Sequence, residues 1–364
     1  MKNDFISSIW DFKQISLNET NYLTHDFLRW YGKLIPQLVS RLIKMYSKEN
    51  DLVLANFAGS GTVLLESHVL HRNSIGVDSS PLSILLCKVK TTPYKPNTIK
   101  FIDSLNQHLK ENKNKKFPMD ETDKKWYDDK IFNELMLIRE VINTIKDERD
   151  RNYYLLALAS ITRKISRIDS RCINHIVVDK NKSLFNPFEE FSKKIEEMNL
   201  SMQELIKVAN GAKISIIRGD ARDLNGIKSN SVDLIISHPP YLGCINYSNI
   251  FKLANRSIDF DYDNVKQNDI STNSLNKYVE DMKKVFDEMF RVLKNDKYAC
   301  VIIGDNRVDG DLIPTFSHFI NYANDKGFKL KDIFIWLMNQ KAGMSIKRHG
   351  NHIDHNYILI FQKP

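Results

Sequence analysis

The stretch from Asp51 to Asp78 constrains the fold of this chain more than any other. DLVLANF at 51–57 has the length and apolar character of a short buried strand. Gly59, Ser60 and Gly61 then form a turn, and TVLLESHVL at 62–70 reads as a helix. SIGVD at 74–78 is a second short strand, and it ends on an acid. Strand, glycine turn, helix, strand and acid, in that order, make the first half of a nucleotide-binding α/β unit.

The chemistry of that unit narrows its ligand. Without a Cβ, Gly59 and Gly61 let the backbone turn tightly and come close to a bound molecule. The helix that follows offers unpaired N–H groups at its start. A P-loop would need a lysine here, and GSGTVL has none; nor is a full GxGxxG present. A small carboxylate end suits such a turn. Asp78 is placed to accept both hydroxyls of a ribose. The pair points to a nucleoside-containing cofactor. The plainer alternative makes the glycines a structural turn and Asp78 the cap of a helix starting near Pro81.

The rest of the chain fits around this unit. LIPQLVSRLIKMYS at 34–47 has helical spacing, with Pro36 near its start. KENKNKK at 110–116 is charged and helix-compatible, 131–161 reads as one or two long helices, and 188–212 as another amphipathic run. The stretch from about 95 to 212 is therefore expected to be a mostly helical insertion. Strands resume at 214–220, 231–241 and 297–305, with helices at 278–294 and 313–328, the latter stopped by Gly327. Residues 329–337 and 355–363 alternate as paired edge strands would. The expected division is 1–94 and 213–364 for the two halves of an α/β domain, with 95–212 inserted between them.

Composition adds bounds. The 364 residues carry a hydrophobic fraction of 42%, enough for a substantial core. No run of 18 apolar residues suggests a membrane span, and MKNDFISSIWDF does not read as a secretory signal, so a cytoplasmic protein is expected. Cys87, Cys172, Cys244 and Cys300 form no CxxC pair, which argues against a disulfide framework and a zinc site. His349, His352 and His355 recur every three residues, but Gly350 and the strand-like run after them do not suit a metal-binding helix. No metal is expected. The formal net charge of +8 favours a polyanionic partner.

SHPPY at 237–241 is the most informative pentapeptide. Pro239 and Pro240 cannot donate to a sheet ladder, so the strand stops there. They stiffen the loop and restrict His238. Rigid polar groups thus stand at the carboxyl end of a parallel sheet, where such folds bind ligands. Tyr241 adds a flat ring suited to stacking on a base. The plainer alternative is a prolyl loop with His238 and Tyr241 as packing.

These segments together resemble the DNA amino-methyltransferases, which make N4-methylcytosine or N6-methyladenine. That family's FxGxG segment is matched by Phe57–Ala58–Gly59–Ser60–Gly61, its ribose-binding acid by Asp78, and its (Asn/Asp/Ser)-Pro-Pro-(Tyr/Phe) tip by His238–Pro239–Pro240–Tyr241. THDFLRWYGKLIPQL at 24–38, through Tyr31, Lys33 and Pro36, is similar to the segment that closes over the cofactor. GVDSSPLS at 76–83 is similar to the family's cofactor-side sequence, and Gly219–Asp220 lies where relatives often place an acid near the adenine. The departures are Ala55 and Asn56 ahead of Phe57, Ala58 within the glycine segment, and His238 in place of Asn, Asp or Ser.

The resemblance implies a Rossmann-like class I methyltransferase sheet and S-adenosylmethionine as cofactor. It implies cofactor contacts from Tyr31, Lys33, Asn56, Phe57, Ala58 and Gly59, from Gly61, Thr62, Asp78 and Ser79, and from Gly219 and Asp220. His238, Pro239, Pro240 and Tyr241 are the expected catalytic group. A base flipped from duplex DNA would stack on Tyr241, its amino protons accepted by the Pro239 carbonyl and the His238 ring. LGCINYSN after the tyrosine looks more like the cytosine-type members, so N4 of cytosine is expected ahead of N6 of adenine. A cognate restriction endonuclease is the implied partner. Arg163, Lys164, Arg167 and Arg171, or Lys341, Lys347, Arg348 and His349, or residues 242–277, are candidate DNA contacts. The rival readings are a methyltransferase for RNA or another amine, and a catalytically silent DNA-binding relative.

Overall fold

The computed structural model describes residues 6–364 apart from 13, 17, 170, 173–175, 244–245, 261–269, 271, 273, 309–310 and 338–354. Its centre is an eight-stranded sheet. The strands in chain order are β1 (Ile6–Asp11), β2 (Leu52–Ala55), β3 (Asn73–Asp78), β4 (Ile214–Arg218), β5 (Val232–Ser237) and β6 (Leu293–Ile303), then β9 (Lys329–Leu337) and β10 (His355–Gln362). β7 (Asn306–Val308) and β8 (Asp311–Ile313) form a separate small antiparallel pair. Across the main sheet the order is β1-β9-β10-β6-β5-β2-β3-β4, and only β10 runs antiparallel to its neighbours. This is a doubly wound, Rossmann-like sheet.

Alternation along each strand explains the layers. On one face Leu54, Ile235, Val301 and Leu359 pack under the helices Leu275–Val292 and Thr315–Lys326. On the other, Val53, Ala55, Leu234, Ile236 and Ile302 pack under the helix Pro36–Tyr46. Both faces are covered, as the apolar runs of β2 and β5 require; every residue of β5 is buried.

The topology decides where a ligand sits. From β2 the chain winds outward through β3 to β4, then returns to β5 and winds the other way to β6. β2 and β5 are adjacent and parallel, with Val53 opposite Leu234 and Leu54 opposite Ile235. The strand order therefore reverses between them, and a crevice opens beyond their carboxyl ends. The glycine turn follows β2 and the diproline tip follows β5.

The region between β3 and β4 is helical: Thr98–Glu111, Glu121–Trp126, Asp129–Asn143, Glu148–Ile165 and Pro187–Lys207. Side-chain caps mark their starts. Asp120 and Asp123 form a reciprocal capping box, and Asp128, Asp147 and Asn186 accept from backbone N–H groups one turn on. Phe101, Tyr154, Phe191 and their neighbours bury a core of their own, which also includes Ile250, Phe251, Leu253 and Ala254.

Two expectations need correction. β9 and β10 do pair, but neither is a sheet edge, because β1 adds itself in parallel to β9. Its hold is aromatic: Trp10 stacks on Phe334 at 4.6 Å, and Arg41 lies 4.0 Å over the Trp10 ring. Asp78 does not cap the helix Pro81–Thr91; Ser80 does, accepting from the Ser83 N–H. Gly327 stops its helix as expected, with φ of 106°. Among the described residues no group of side chains could hold a metal ion, and no helix is long and apolar enough to cross a membrane. His349 and His352 lie outside the described residues, while His355 opens β10.

Candidate active site

The glycine turn is held from behind by the helix Pro81–Thr91. Ser83 Oγ donates to the Gly59 carbonyl at 2.7 Å, and Lys90 Nζ donates to the Ser60 carbonyl at 2.9 Å. A peptide unit is planar and trans, so a Gly59 carbonyl turned toward this helix sends the Ser60 N–H the opposite way. Gly61 N–H closes the turn onto the Ala58 carbonyl at 2.8 Å. Gly61 has φ of 73°, and a Cβ there would stand 3.0 Å from Cys87 Sγ. Glycine is required on both counts.

Asp78 is fixed by two backbone donors. Its Oδ2 accepts from Gly59 N–H at 2.7 Å and its Oδ1 from Ser80 N–H at 2.9 Å. The acid of β3 and the turn after β2 are thus one rigid unit.

Beneath the turn lies a buried polar cluster. Glu66 meets His25 Nε2 at 3.0 Å and accepts from the Tyr22 hydroxyl. Burial pushes the Glu66 carboxyl up to about 7 and the Lys90 ammonium down to about 7. Lys33 donates to Asn21 Oδ1 at 3.0 Å and to the His25 carbonyl at 3.2 Å, and burial lowers it too.

One cavity joins these parts to the diproline tip. Trp30, Lys33 and Asn56 line it, with Phe57–Ser60, Thr62 and Asp78–Ser80. Gly219 and Asp220 contribute from the end of β4, and His238 and Pro240 from the end of β5. Its empty space, open mouth included, is about 1070 Å³. The far wall is Tyr247, Ser248, Phe251 and Asn255, on the two short helices Tyr247–Ile250 and Lys252–Ser257. Trp30 stacks on Phe251 at 4.4 Å and also lies against Gly59.

At the tip, His238 Nε2 is 3.2 Å from the Tyr241 hydroxyl, with the rings edge to face. Tyr278 donates its hydroxyl to the Pro240 carbonyl at 2.9 Å, pinning the loop to the helix Leu275–Val292. Burial lowers His238 to about 4, so the ring is neutral at neutral pH.

Not every expected residue reaches the cavity wall. Tyr31 is buried at 5% exposure in the helical core, beside Phe251 and under the Arg163 guanidinium. Pro239, Gly61 and Tyr241 flank the cavity without lining it. The Tyr241 ring lies against Gly304, where a Cβ would come within 3.0 Å of it. Asp220 lines the cavity but is bound side-on by Arg222, which also reaches Asp281 at 2.9 Å.

The basic cluster on 161–171 has partners within the chain. Arg163 donates to the Cys172 carbonyl at 2.8 Å, Lys164 pairs with Glu190, Arg167 donates to the Tyr127 carbonyl at 2.8 Å, and Arg171 pairs with Asp169. Arg163 and Arg167 brace the insertion, while the paired Lys164 and Arg171 keep exposed side chains. Lys341, Lys347, Arg348 and His349 lie outside the described residues, as do parts of 242–277.

Sequence reasoning missed the far wall. Phe251 and Asn255 sit in no motif, and only the folding of their helices beside the insertion brings them to the cavity.

The fit of a nucleoside cofactor with an amino-acid end can be tested on Asn56. It is 1% exposed and lines the cavity, yet neither its Oδ1 nor its Nδ2 has a hydrogen-bond partner among the described residues. A buried amide left so is costly unless a ligand completes it. The residues present fit the group.

Comparisons with known proteins agree. The family model for N6 and N4 methylases, described as DNA methylase, matches residues 1–88 and 232–364. It skips the helical insertion and β4. The type II methyltransferase M.MjaII of Methanocaldococcus jannaschii is 24% identical over 401 residues, spanning 82% of this chain and 75% of that protein. M.MvaI of Kocuria varians is 24% identical over 244 residues, which cover 61% of this chain and 54% of that protein, so the chain spans about half its length. Among solved structures, TehB from Haemophilus influenzae aligns over 92% of this chain and 64% of its own at 11% identity, with a TM-score of 0.37, too loose a likeness to carry an argument. With the matched segments holding the glycine turn, Asp78 and the diproline tip, the chain belongs to the N6/N4 DNA methylase family, whose cofactor is S-adenosylmethionine.

Proposed function

We propose that this chain methylates an exocyclic amino nitrogen of a base in duplex DNA, with N4 of cytosine favoured over N6 of adenine. The observation that carries this reading is the single cavity running from the glycine turn and Asp78 to His238 and Pro240. S-adenosylmethionine, when bound, supplies a methyl group on a sulfonium. Lys33, Asn56, Thr62 and the backbone of Phe57–Gly61 would hold its amino-acid end. Asp78 and Ser79 would take the ribose, and Gly219 and Asp220 the adenine.

An exocyclic amine is a weak nucleophile because its lone pair is delocalised into the ring. Acceptors placed on its protons draw that pair out of conjugation, and positioning does the rest. The His238 ring is the acceptor on the cavity wall, and the Pro239 carbonyl, the second that the family resemblance implies, flanks it. The histidine imposes a condition. A neutral imidazole has one acceptor nitrogen and one donor. Nε2 faces the Tyr241 hydroxyl, so if His238 is to accept through Nδ1, Nε2–H must donate to Tyr241. Tyr241 would then hold the tautomer as well as offer its ring to a base. A base in a duplex must first flip out to reach such a site.

The similarity to proteins named type II methyltransferases supports a modification enzyme with a restriction endonuclease as its counterpart. The test is to offer the protein cofactor with duplex DNA of varied sequence, single-stranded DNA and RNA, and to identify modified nucleosides by mass spectrometry. N4-methylcytosine in duplex DNA is the expected product. N6-methyladenine would reassign the base, and modification of RNA alone, or of none, would overturn the proposal.

A further inference from the structure

We propose that Asn255 is a cofactor-binding residue, whose side-chain oxygen accepts a hydrogen bond from the α-ammonium group of the cofactor's amino-acid end. This rests on the reading of the cavity as the cofactor site, and it adds a contact from a helix that follows the diproline tip.

Asn255 is 1% exposed and lines the cavity. Its Nδ2 donates to the Phe251 carbonyl one turn back, at 3.1 Å, while its Oδ1 has no hydrogen-bond partner among the described residues. That bond fixes the amide: rotated by half a turn, it would set oxygen against oxygen. The open group is therefore an acceptor, and only a donor can satisfy it. Leaving it unsatisfied in a buried place is unfavourable.

The position of Asn255 selects among the donors. It stands one turn after Phe251, and Phe251 stacks on Trp30, whose indole an added Cβ on Gly59 would meet at 3.3 Å; through these rings the helix of Asn255 adjoins the glycine-turn end of the cavity. A carboxylate has only acceptors. The ribose hydroxyls fall to Asp78 and the adenine to the end of β4. The group left at this end is the α-ammonium, with three donors and a positive charge. Lys33, a cation on the same cavity, suits the carboxylate beside it.

The test is calorimetric binding of three probes to the full chain: S-adenosylhomocysteine, its analogue lacking the α-amino group, and 5′-methylthioadenosine, which lacks the amino-acid end. Asn255→Ala is expected to weaken S-adenosylhomocysteine about tenfold or more, the scale of a lost hydrogen bond to a charged group. It should leave the other two probes within about twofold. Asn255→Ser, whose hydroxyl can donate to the Phe251 carbonyl and still accept, should keep part of the preference for the amino group. The proposal is overturned if Asn255→Ala weakens all three probes alike, or none, or raises only the KM for DNA. If the unaltered protein binds no S-adenosylhomocysteine, the reading of the cavity fails with it; if it binds and the variant matches it, only the role of Asn255 fails.

Discussion

His238 is the residue at which this chain departs most from its family, and its surroundings say what the departure costs. Burial lowers the ring to about 4 against an ordinary value near 6.5. Above that range the imidazole is neutral and keeps an acceptor; below it both nitrogens are donors and the role is lost. Methyl transfer is expected to be level from neutral pH to about 5 and to fall as the pH approaches 4. The stability term has the same sign. Between about 4 and 6.5 the unfolded chain binds this proton and the folded chain does not, so the contribution is fully present above 6.5 and lost as pH falls toward 4. A kcat profile on His238→Ala, about a hundredfold slower, should lose the acid limb that depends on this ring. An unchanged kcat in that variant would remove His238 from the reaction. Asp78 and the glycines were legible from sequence because their chemistry is local: a turn that needs positive φ and an acid at a strand end. Tyr31 was not. Which way an aromatic side chain turns is decided by distant partners, here Phe251 and Arg163.

At the level of elements, the helix Lys252–Ser257 connects the insertion to the site. Arg256 bonds both acids of the capping box, Asp120 at 2.7 Å and Asp123 at 2.9 Å, and its carbonyl accepts from Arg139 at 3.2 Å. The helix therefore rests on the insertion while Phe251 and Asn255 face the cavity. Asp123 is 8% exposed, so removing the cation strands a buried carboxylate. Arg256→Ala is expected to cost about 1–3 kcal/mol in urea unfolding and to weaken binding of S-adenosylhomocysteine as the wall loosens. Normal cofactor affinity in a folded, destabilised variant would show that the wall does not depend on this tie. The helices themselves were legible from their apolar spacing and caps. Their purpose was not, because the basic run 161–171 reads the same whether its cations meet phosphates or, as here, carbonyls and carboxylates of the same chain.

For the whole molecule, the decisive feature is the reversal of strand order between β2 and β5. It sets two segments about 180 residues apart, each ordinary alone, at the mouth of one crevice. The α/β class and most strands could be read in sequence, since buried strands and their glycine and proline stops are local signals. β1 could not: ISSIWD is short and mixed, and it becomes a strand only by pairing with β9 more than 300 residues on. The central claim is that the crevice carries a methyl group to an amino nitrogen of DNA, with Asp78 at one end and His238 at the other. The most direct measurement follows an isotope-labelled methyl group from S-adenosylmethionine into duplex DNA and locates it by nucleoside mass spectrometry, for the unaltered chain and for Asp78→Ala and His238→Ala. The account requires the label on an exocyclic amino nitrogen and its loss in both variants. Label on a ring carbon, or transfer undiminished by either substitution, would contradict it.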